Sequence, residues 1–183
     1  MITQRERQAA RNDAFERMVA AGLVLRVEEA QRIEVADFGL GHLREEGAQI
    51  LTLVQTDRLA VKVIALSPWQ ALPEHWHPRV AEDPGKEETI RHIRGDLFVY
   101  TEGKPTLNRG RIPAGKHHAY TVRHELVLES GDQLTFAPGS KHWFLAGPRG
   151  AIAYSFSTTA RDVLDQFTDP DVERITVVPE DGS

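Results

Sequence analysis

Residues 59–78 read LAVKVIALSPWQALPEHWHP. The segment begins with Leu59–Leu66, which is apolar except for Lys62. An apolar run of this length that ends at Ser-Pro is typical of a buried strand. The segment closes with His75 and His77, which would share one face of a second strand because residues two apart project the same way. We therefore predict β-structure on both sides of a turn, with two imidazoles on one face.

The rest of the middle of the chain has the same character. Short apolar runs alternate with turn sequences such as Pro-Gly, Ser-Gly-Asp and Ala-Pro-Gly-Ser. Many short strands, with helical patterns only at the two ends, predict a mainly β antiparallel barrel or sandwich. The predicted strands are residues 50–54, 59–66, 96–101, 126–129, 133–137 and 151–157.

The two ends of the chain are predicted to be helical. Residues 3–21 form one helix, because Thr3 and Glu6 have capping-box spacing and Gly22 stands at a typical helix end. A short C-terminal helix is expected at residues 160–167, followed by a Thr-Asp-Pro turn and a strand near 175–178. The whole chain, 1–183, is then a single domain. It would comprise a helical extension (1–47), a barrel core (48–158) and a C-terminal extension (159–183).

Composition excludes several classes of protein. The 183 residues contain no cysteine, which excludes a disulfide scaffold, a thiolate zinc site and a cysteine nucleophile. A formal net charge of -5 argues against nucleic acid as the main partner. The polar N-terminus is unlike a secretory signal, and no apolar run approaches the length of a membrane helix. We expect a soluble cytoplasmic protein.

The histidine pair indicates a metal site. Two imidazoles on one face, with a carboxylate soon after in Gly85-Lys86-Glu87-Glu88-Thr89, form a natural site for a divalent ion. A barrel would bring a third histidine from a distant strand, and His142 follows a Pro-Gly turn as such a ligand would.

These motifs resemble the two metal motifs of the cupin superfamily. The likeness lies in His-x-His, a glutamate before Gly95, and Gly131, Pro138-Gly139 and His142 in that order. The distance from the second histidine favours Glu82 as the carboxylate ligand, whereas the distance to Gly95 favours Glu88. Glu87 also stays open.

A narrower resemblance involves the strings PEHWHP, PGKEETIR, LFVYTEG, HWFLAG, FSTTARD and FTDP. In this order they resemble the D-lyxose isomerase family of cupin sugar isomerases. The resemblance implies that His75, His77, Glu88 and His142 hold a divalent ion. Manganese is the commonest, with zinc, iron, cobalt and nickel as alternatives. It also implies interconversion of aldoses such as D-lyxose and D-mannose with their ketoses through an enediolate. Cupins commonly pair, so a homodimer is expected.

Lys62 is the candidate catalytic residue. An ammonium group within an apolar strand is costly to bury unless it is paired. The family has a catalytic lysine thirteen positions before its first metal histidine, and Lys62 matches it. The alternative is an edge-strand lysine whose ammonium reaches water.

One position departs from the family pattern. Ser155 stands where the family carries a glutamate thought to act as the acid/base, and a hydroxyl is a poor base near neutral pH. Glu74 or Glu125 could substitute. If none does, the alternatives are an iron or nickel cupin dioxygenase, a sugar-binding cupin, or an epimerase.

The remaining candidates have structural interpretations beside functional ones. Asp37-Phe38-Gly39 spells a kinase tripeptide but is expected to be a turn, and the adjacent pair His117-His118 a loop. Trp76 and Trp143 are expected to pack away from the ion. Either a cavity or a solvated surface would suit His92 and His124. Asp162, Asp165 and Arg174 belong to strings that match the family, although ordinary salt bridges would explain these residues equally well.

Overall fold

The computed structural model describes residues 2–176 of the chain. Its helices are α1 (Gln4–Ala20) and α2 (Glu29–Arg32), and one 3-10 turn spans Asp162–Leu164. Its strands are β1 (Glu34–Ala36), β2 (Ala48–Gln55), β3 (Leu59–Leu66), β4 (Ala71–Trp76), β5 (Glu88–Thr101), β6 (His124–Leu128), β7 (Gln133–Phe136), β8 (His142–Thr158) and β9 (Gln166–Phe167).

The strands form one curled antiparallel sheet, as expected of a cupin. The order is β1-β2-β3-β8-β4-β9, and β5 joins it by pairing with β6, β7 and β8. The two longest strands, β5 and β8, pair along most of their length and shift register beside Gly95. A Cβ on Gly95 would lie 2.0 Å from the carbonyl oxygen of Gly150, so only glycine permits this close crossing. The bend lets both strands contribute to two walls of the barrel.

Most strand predictions are confirmed, but their lengths differ. β3 covers the predicted residues, whereas β5 and β8 are far longer than the segments predicted within them. Gly147, Pro148 and Gly150 lie where β8 bends against β5, and the strand continues on both sides.

The inward and outward faces of β3 explain why Lys62 lies inside. Val63 and Ala65 pack with Met18 of α1 on the outside of the sheet. Lys62 lies on the opposite face with Ile64, which belongs to the cluster that fills the barrel. Strand alternation therefore directs the ammonium into the interior, and the alternative of an edge-strand lysine whose ammonium reaches water does not hold.

The N-terminal prediction is confirmed and the C-terminal one is wrong. Thr3 and Glu6 form the reciprocal capping box of α1, and Gly22 has φ 95° just beyond its end. Residues 160–167 form only the 3-10 turn and β9, because β9 pairs with the edge of β4 instead of continuing a helix. Residues 175 and 176 are not strand, and 177–178 lie outside the described residues.

Two smaller points follow from the described residues. The Asp37-Phe38-Gly39 segment is a turn, closed by a backbone hydrogen bond from Leu40 to Asp37. Among residues 2–176, no helix has the length and apolar character needed to cross a membrane.

Candidate active site

Three strands bring the predicted metal ligands together. His75 lies in β4 and pairs with His142, the first residue of β8, while His77 follows β4 directly. Glu88 is the first residue of β5. One ligand atom from each of the four lies within 4.8 Å of those of the others, and all four side chains are buried.

The three histidines present the same ring nitrogen to the centre. Each Nδ1 is engaged as a donor: His75 to the carbonyl of Pro73 at 2.8 Å and His142 to that of Ser140 at 2.9 Å. His77 donates to Oδ1 of Asp165 at 2.7 Å. Donation from Nδ1 leaves the Nε2 lone pair free, which is the state that binds metal.

The carboxylate completes the set. Oε2 of Glu88 lies 3.1 Å from Nε2 of His77 and 3.8 Å from Nε2 of His142. Nε2 of His142 is buried and has no hydrogen-bond partner among the described residues. An unpaired buried nitrogen is costly in a folded protein unless something occupies its lone pair. A nitrogen- and oxygen-ligated divalent ion fits this arrangement.

The structure distinguishes the three glutamates. Glu82 and Glu87 are exposed, and neither belongs to the buried cluster. Glu88 alone of the three faces the histidines, because it is buried at the start of β5.

Burial and local charge keep Glu88 and His75 in the forms that bind a metal. Burial alone would raise the pKa of Glu88, but Lys86, His142 and His77 hold it well below its usual range. Burial and the neighbouring imidazoles of His142 and His77 lower the pKa of His75 well below its ordinary value. A carboxylate and a neutral imidazole are the forms that donate electron pairs to a metal.

A small cavity is lined by two of the four predicted ligands, His75 and Glu88. Its volume is about 40 Å³. Charged side chains line one part of it and apolar side chains the rest. The charged ones include Lys62, Lys86, Asp162, Asp165 and Arg174, and the apolar ones include Phe38, Ile50, Ile64, Leu72, Phe144 and Phe167.

No family model matches the chain. It is 48% identical over 174 residues to the D-lyxose ketol-isomerase of Cohnella laeviribosi, covering 94% of this chain and 96% of that protein. The chain belongs to the D-lyxose isomerase family. It is also 43% identical over 176 residues to the D-lyxose/D-mannose isomerase of Thermosediminibacter oceani, covering 96% of this chain and 97% of that one.

Solved structures support the cupin fold of this D-lyxose isomerase family member. An L-ribose isomerase of Acinetobacter sp. DL28 in complex with L-ribose matches with a TM-score of 0.80 at 14% identity. The match covers 93% of this chain and 94% of that one. The ligand-free L-ribose isomerase of Cellulomonas parahominis matches with a TM-score of 0.77 at 17% identity, covering 94% and 95%.

Lys62 lies beside the predicted metal ligands. Its ammonium forms an ion pair with Asp162, from the 3-10 turn near the C-terminus. Burial alone would raise the pKa of Asp162, but Lys62 and Lys86 lower it to about 2. Asp162 is therefore ionised at neutral pH, and both side chains of the pair line the cavity.

Sequence reasoning missed Lys86. Its Nζ lies 3.6 to 3.9 Å from carboxylate oxygens of Asp162, Glu88 and Asp165. Burial alone would lower its pKa, but these carboxylates raise it. Strand alternation was the available signal, since Lys86 stands two residues before Glu88 and so would share its face.

Neither proposed substitute for the family glutamate lies in the cavity. Glu74 points away from it and accepts hydrogen bonds from the backbone N–H groups of Thr121 and Val122 at 2.6 and 2.8 Å. Glu125 accepts from the backbone N–H groups of residues 108–110 and from the hydroxyl of Tyr100. Ser155 is in the site, and its hydroxyl donates to Oε1 of Glu88.

The other candidates have structural positions. His117 and His118 lie in a turn, as predicted. Trp143 is fully buried and stacks on Tyr100, and Trp76 packs under the ammonium of Lys141, so both indoles do pack away from the metal ligands. Neither His92 nor His124 lines the cavity, although His92 is buried.

Proposed function

We propose that this protein is a divalent-metal-dependent aldose–ketose isomerase that acts on the open chain of a pentose or hexose. The substrate pairs are D-lyxose with D-xylulose and D-mannose with D-fructose, in keeping with the names of its relatives. The observation that carries the proposal is the convergence of three Nε2 atoms and one carboxylate beside a cavity that also contains Lys62.

The proposed ligands of the ion are His75, His77, Glu88 and His142. Mn²⁺ is the proposed ion, with Zn²⁺, Fe²⁺, Co²⁺ and Ni²⁺ as alternatives that suit the same donors. A bound divalent ion supplies Lewis acidity that polarises a carbonyl and stabilises negative charge on the sugar oxygens.

We assign proton transfer to Lys62 and Asp162. Isomerisation moves a proton from C2 to C1 and the hydroxyl proton from O2 to O1, while charge develops on the carbonyl oxygen. The ammonium of Lys62 can donate a hydrogen bond to that oxygen, which stabilises the charge. Asp162 is the carboxylate next to it, and separation from Lys62 would make it a stronger base by removing the interaction that lowers its pKa. Lys86 contributes a fixed positive charge beside Glu88.

Sugar binding requires the cavity to enlarge. About 40 Å³ is close to the ~30 Å³ that one water molecule occupies in the liquid, and a pentose has many more atoms. A groove of about 630 Å³ lies beyond the cavity, and Asp162 and Arg174 line both. These two side chains are joined at 3.2 Å. We infer that the sugar enters from this groove when they separate.

We also propose a domain organisation, an oligomeric state and a cellular location for the protein. The chain is a single domain, because strands from both ends of the core supply one site. It is a homodimer, on the analogy of other cupins, and it acts in the cytoplasm, in keeping with its composition. Size-exclusion chromatography with light scattering tests the oligomeric state.

Proton NMR in D₂O tests the reaction. Protein reconstituted with Mn²⁺ is incubated with D-lyxose, D-mannose, D-xylulose and D-fructose, with a chelated sample as the control. We expect deuterium at C2 of the aldose or C1 of the ketose, together with interconversion, and loss of both on chelation. Exchange that returns only aldoses would establish an epimerase instead. Oxygen uptake without exchange would establish a dioxygenase, and metal-dependent sugar binding without reaction would establish a binding protein.

A further inference from the structure

We propose that Ser155 is a positioning residue that holds Glu88 as a metal ligand through one oxygen only. The inference rests on the proposed function, since it concerns the same metal centre. It gives a role to the residue that departs from the family pattern.

Two strands fix the serine beside the carboxylate. Ser155 lies in β8, opposite Ile90 of β5, so it is close to the first residues of the strand that carries Glu88. Both side chains are buried, with 1% of Ser155 and 5% of Glu88 exposed. Burial leaves the hydroxyl little choice of partner, and it donates its proton to Oε1 of Glu88.

The two carboxylate oxygens therefore have different surroundings. Oε1 accepts from Ser155 and lies 3.8 Å from the ammonium of Lys86. Oε2 faces the imidazoles, at 3.1 Å from Nε2 of His77 and 3.8 Å from Nε2 of His142. Oε2 is therefore the oxygen directed toward the imidazoles of His77 and His142.

This division has a chemical consequence. A carboxylate without an outer hydrogen bond can rotate and bind a metal through both oxygens, occupying two coordination positions. The hydrogen bond from Ser155 to Oε1 disfavours binding of the metal through both oxygens of Glu88. It also fixes the orientation of the ligand, as outer hydrogen bonds commonly do at metal sites. The position kept open is one that a chelating sugar needs.

The test is the binding of Mn²⁺ alone to metal-free protein, measured by calorimetry, without any assay of activity. We expect Ser155→Ala to weaken binding by roughly 10- to 100-fold, the usual effect of removing an outer hydrogen bond. Ser155→Thr keeps the hydroxyl and should recover most of the affinity. Thr89→Val is the matched control, because Thr89 follows Glu88 but bonds Thr135 on the outer face of the sheet.

A second measurement separates positioning from a general loss of structure. Water-proton relaxation reports how many exchangeable waters remain on bound Mn²⁺, and Ser155→Ala should lose one because Glu88 takes a second position. Thermal unfolding of the metal-free variants checks that each is folded.

The outcomes are distinct from those of the isomerase proposal. Ser155→Ala that binds Mn²⁺ as tightly as the wild type, with the same number of waters, overturns the inference. Wild-type protein that binds neither Mn²⁺ nor any of the alternative ions Zn²⁺, Fe²⁺, Co²⁺ and Ni²⁺ overturns both proposals. Wild-type protein that binds Mn²⁺ and loses affinity in Ser155→Ala, but exchanges no sugar proton, upholds the role of Ser155 and overturns the isomerase.

Discussion

His77 donates its Nδ1–H to Oδ1 of Asp165 across 2.7 Å, so the C-terminal segment holds a histidine of the barrel. Both side chains are largely buried. Burial alone would lower the pKa of His77, but its hydrogen bonds to Asp165 and Glu88 raise it. The bond fixes the tautomer and the orientation of the imidazole ring. It also links the position of the C-terminal segment to the geometry of the proposed metal centre.

Replacement of this carboxylate should weaken metal binding. In Asp165→Asn the amide keeps an oxygen acceptor but loses the charge, so it polarises the imidazole less. We expect the affinity for Mn²⁺ to fall roughly 10- to 100-fold in calorimetry of metal-free protein. Asp171→Asn is the control, since Asp171 is an exposed carboxylate of the same segment. Equal affinities in the two variants would refute the role of Asp165.

The four proposed metal ligands could be predicted from the sequence because local patterns bring attention to them, and the structure brings their ligand atoms within 4.8 Å of one another. His75 and His77 share a strand face by alternation, and the turn before His142 identifies the third histidine. The choice among Glu82, Glu87 and Glu88 required either the family resemblance or the observed burial, because all three lie within a few residues of one another in the chain.

The C-terminal part of the site was not predictable in the same way. Residues 160–167 have a helix-compatible composition, but Asp162 and Asp165 find buried partners at Lys62 and His77. These ion pairs join residues about ninety to one hundred positions apart, so no local pattern reports them. Tertiary contacts therefore replace the expected helix by a 3-10 turn and a short edge strand.

Loss of the Lys62 ammonium should slow the reaction without removing the metal. We expect Lys62→Met to lower kcat/KM by roughly 10²- to 10⁴-fold, the range for a group that assists proton transfer. The affinity for Mn²⁺ should stay within about threefold of wild type. Losses of roughly 10- to 100-fold come from groups that hydrogen-bond a metal ligand, whereas Lys62 bonds Asp162, which is not one of the proposed ligands. Lys104→Met, at an exposed lysine, is the control. An active Lys62→Met enzyme would contradict the assignment.

Glu74 should prove structural. Glu74→Ala removes the carboxylate oxygen that accepts backbone hydrogen bonds from Thr121 and Val122. The loss leaves these N–H groups unsatisfied and should lower the free energy of unfolding by about 1–3 kcal/mol in denaturant titrations. Proton exchange at C2 should persist in the folded variant. A stable variant that has lost exchange would show instead that Glu74 acts in the chemistry.

Acid should remove the stabilising effect of Asp162. The depressed pKa, about 2 against an ordinary value of 3.8, means that the folded state binds the proton less readily than the unfolded state. The contribution is therefore complete above pH 4 to 5 and decreases as the pH falls through 3.8 toward 2. It amounts to about 2 kcal/mol at neutral pH and to roughly half of that at pH 3.

Urea unfolding of chelator-treated protein between pH 5 and pH 3 measures this effect. The difference in unfolding free energy between wild type and Asp162→Asn should narrow by about 1 kcal/mol over that range. The narrowing arises because the wild type loses the charge that Lys62 and Lys86 stabilise, whereas the variant never carries it. Asp57→Asn, at an exposed position, is the control variant. The difference in unfolding free energy between wild type and Asp162→Asn could instead stay constant, or widen on acidification. Either result would mean that Lys62 and Lys86 do not lower the pKa of Asp162 in the folded state.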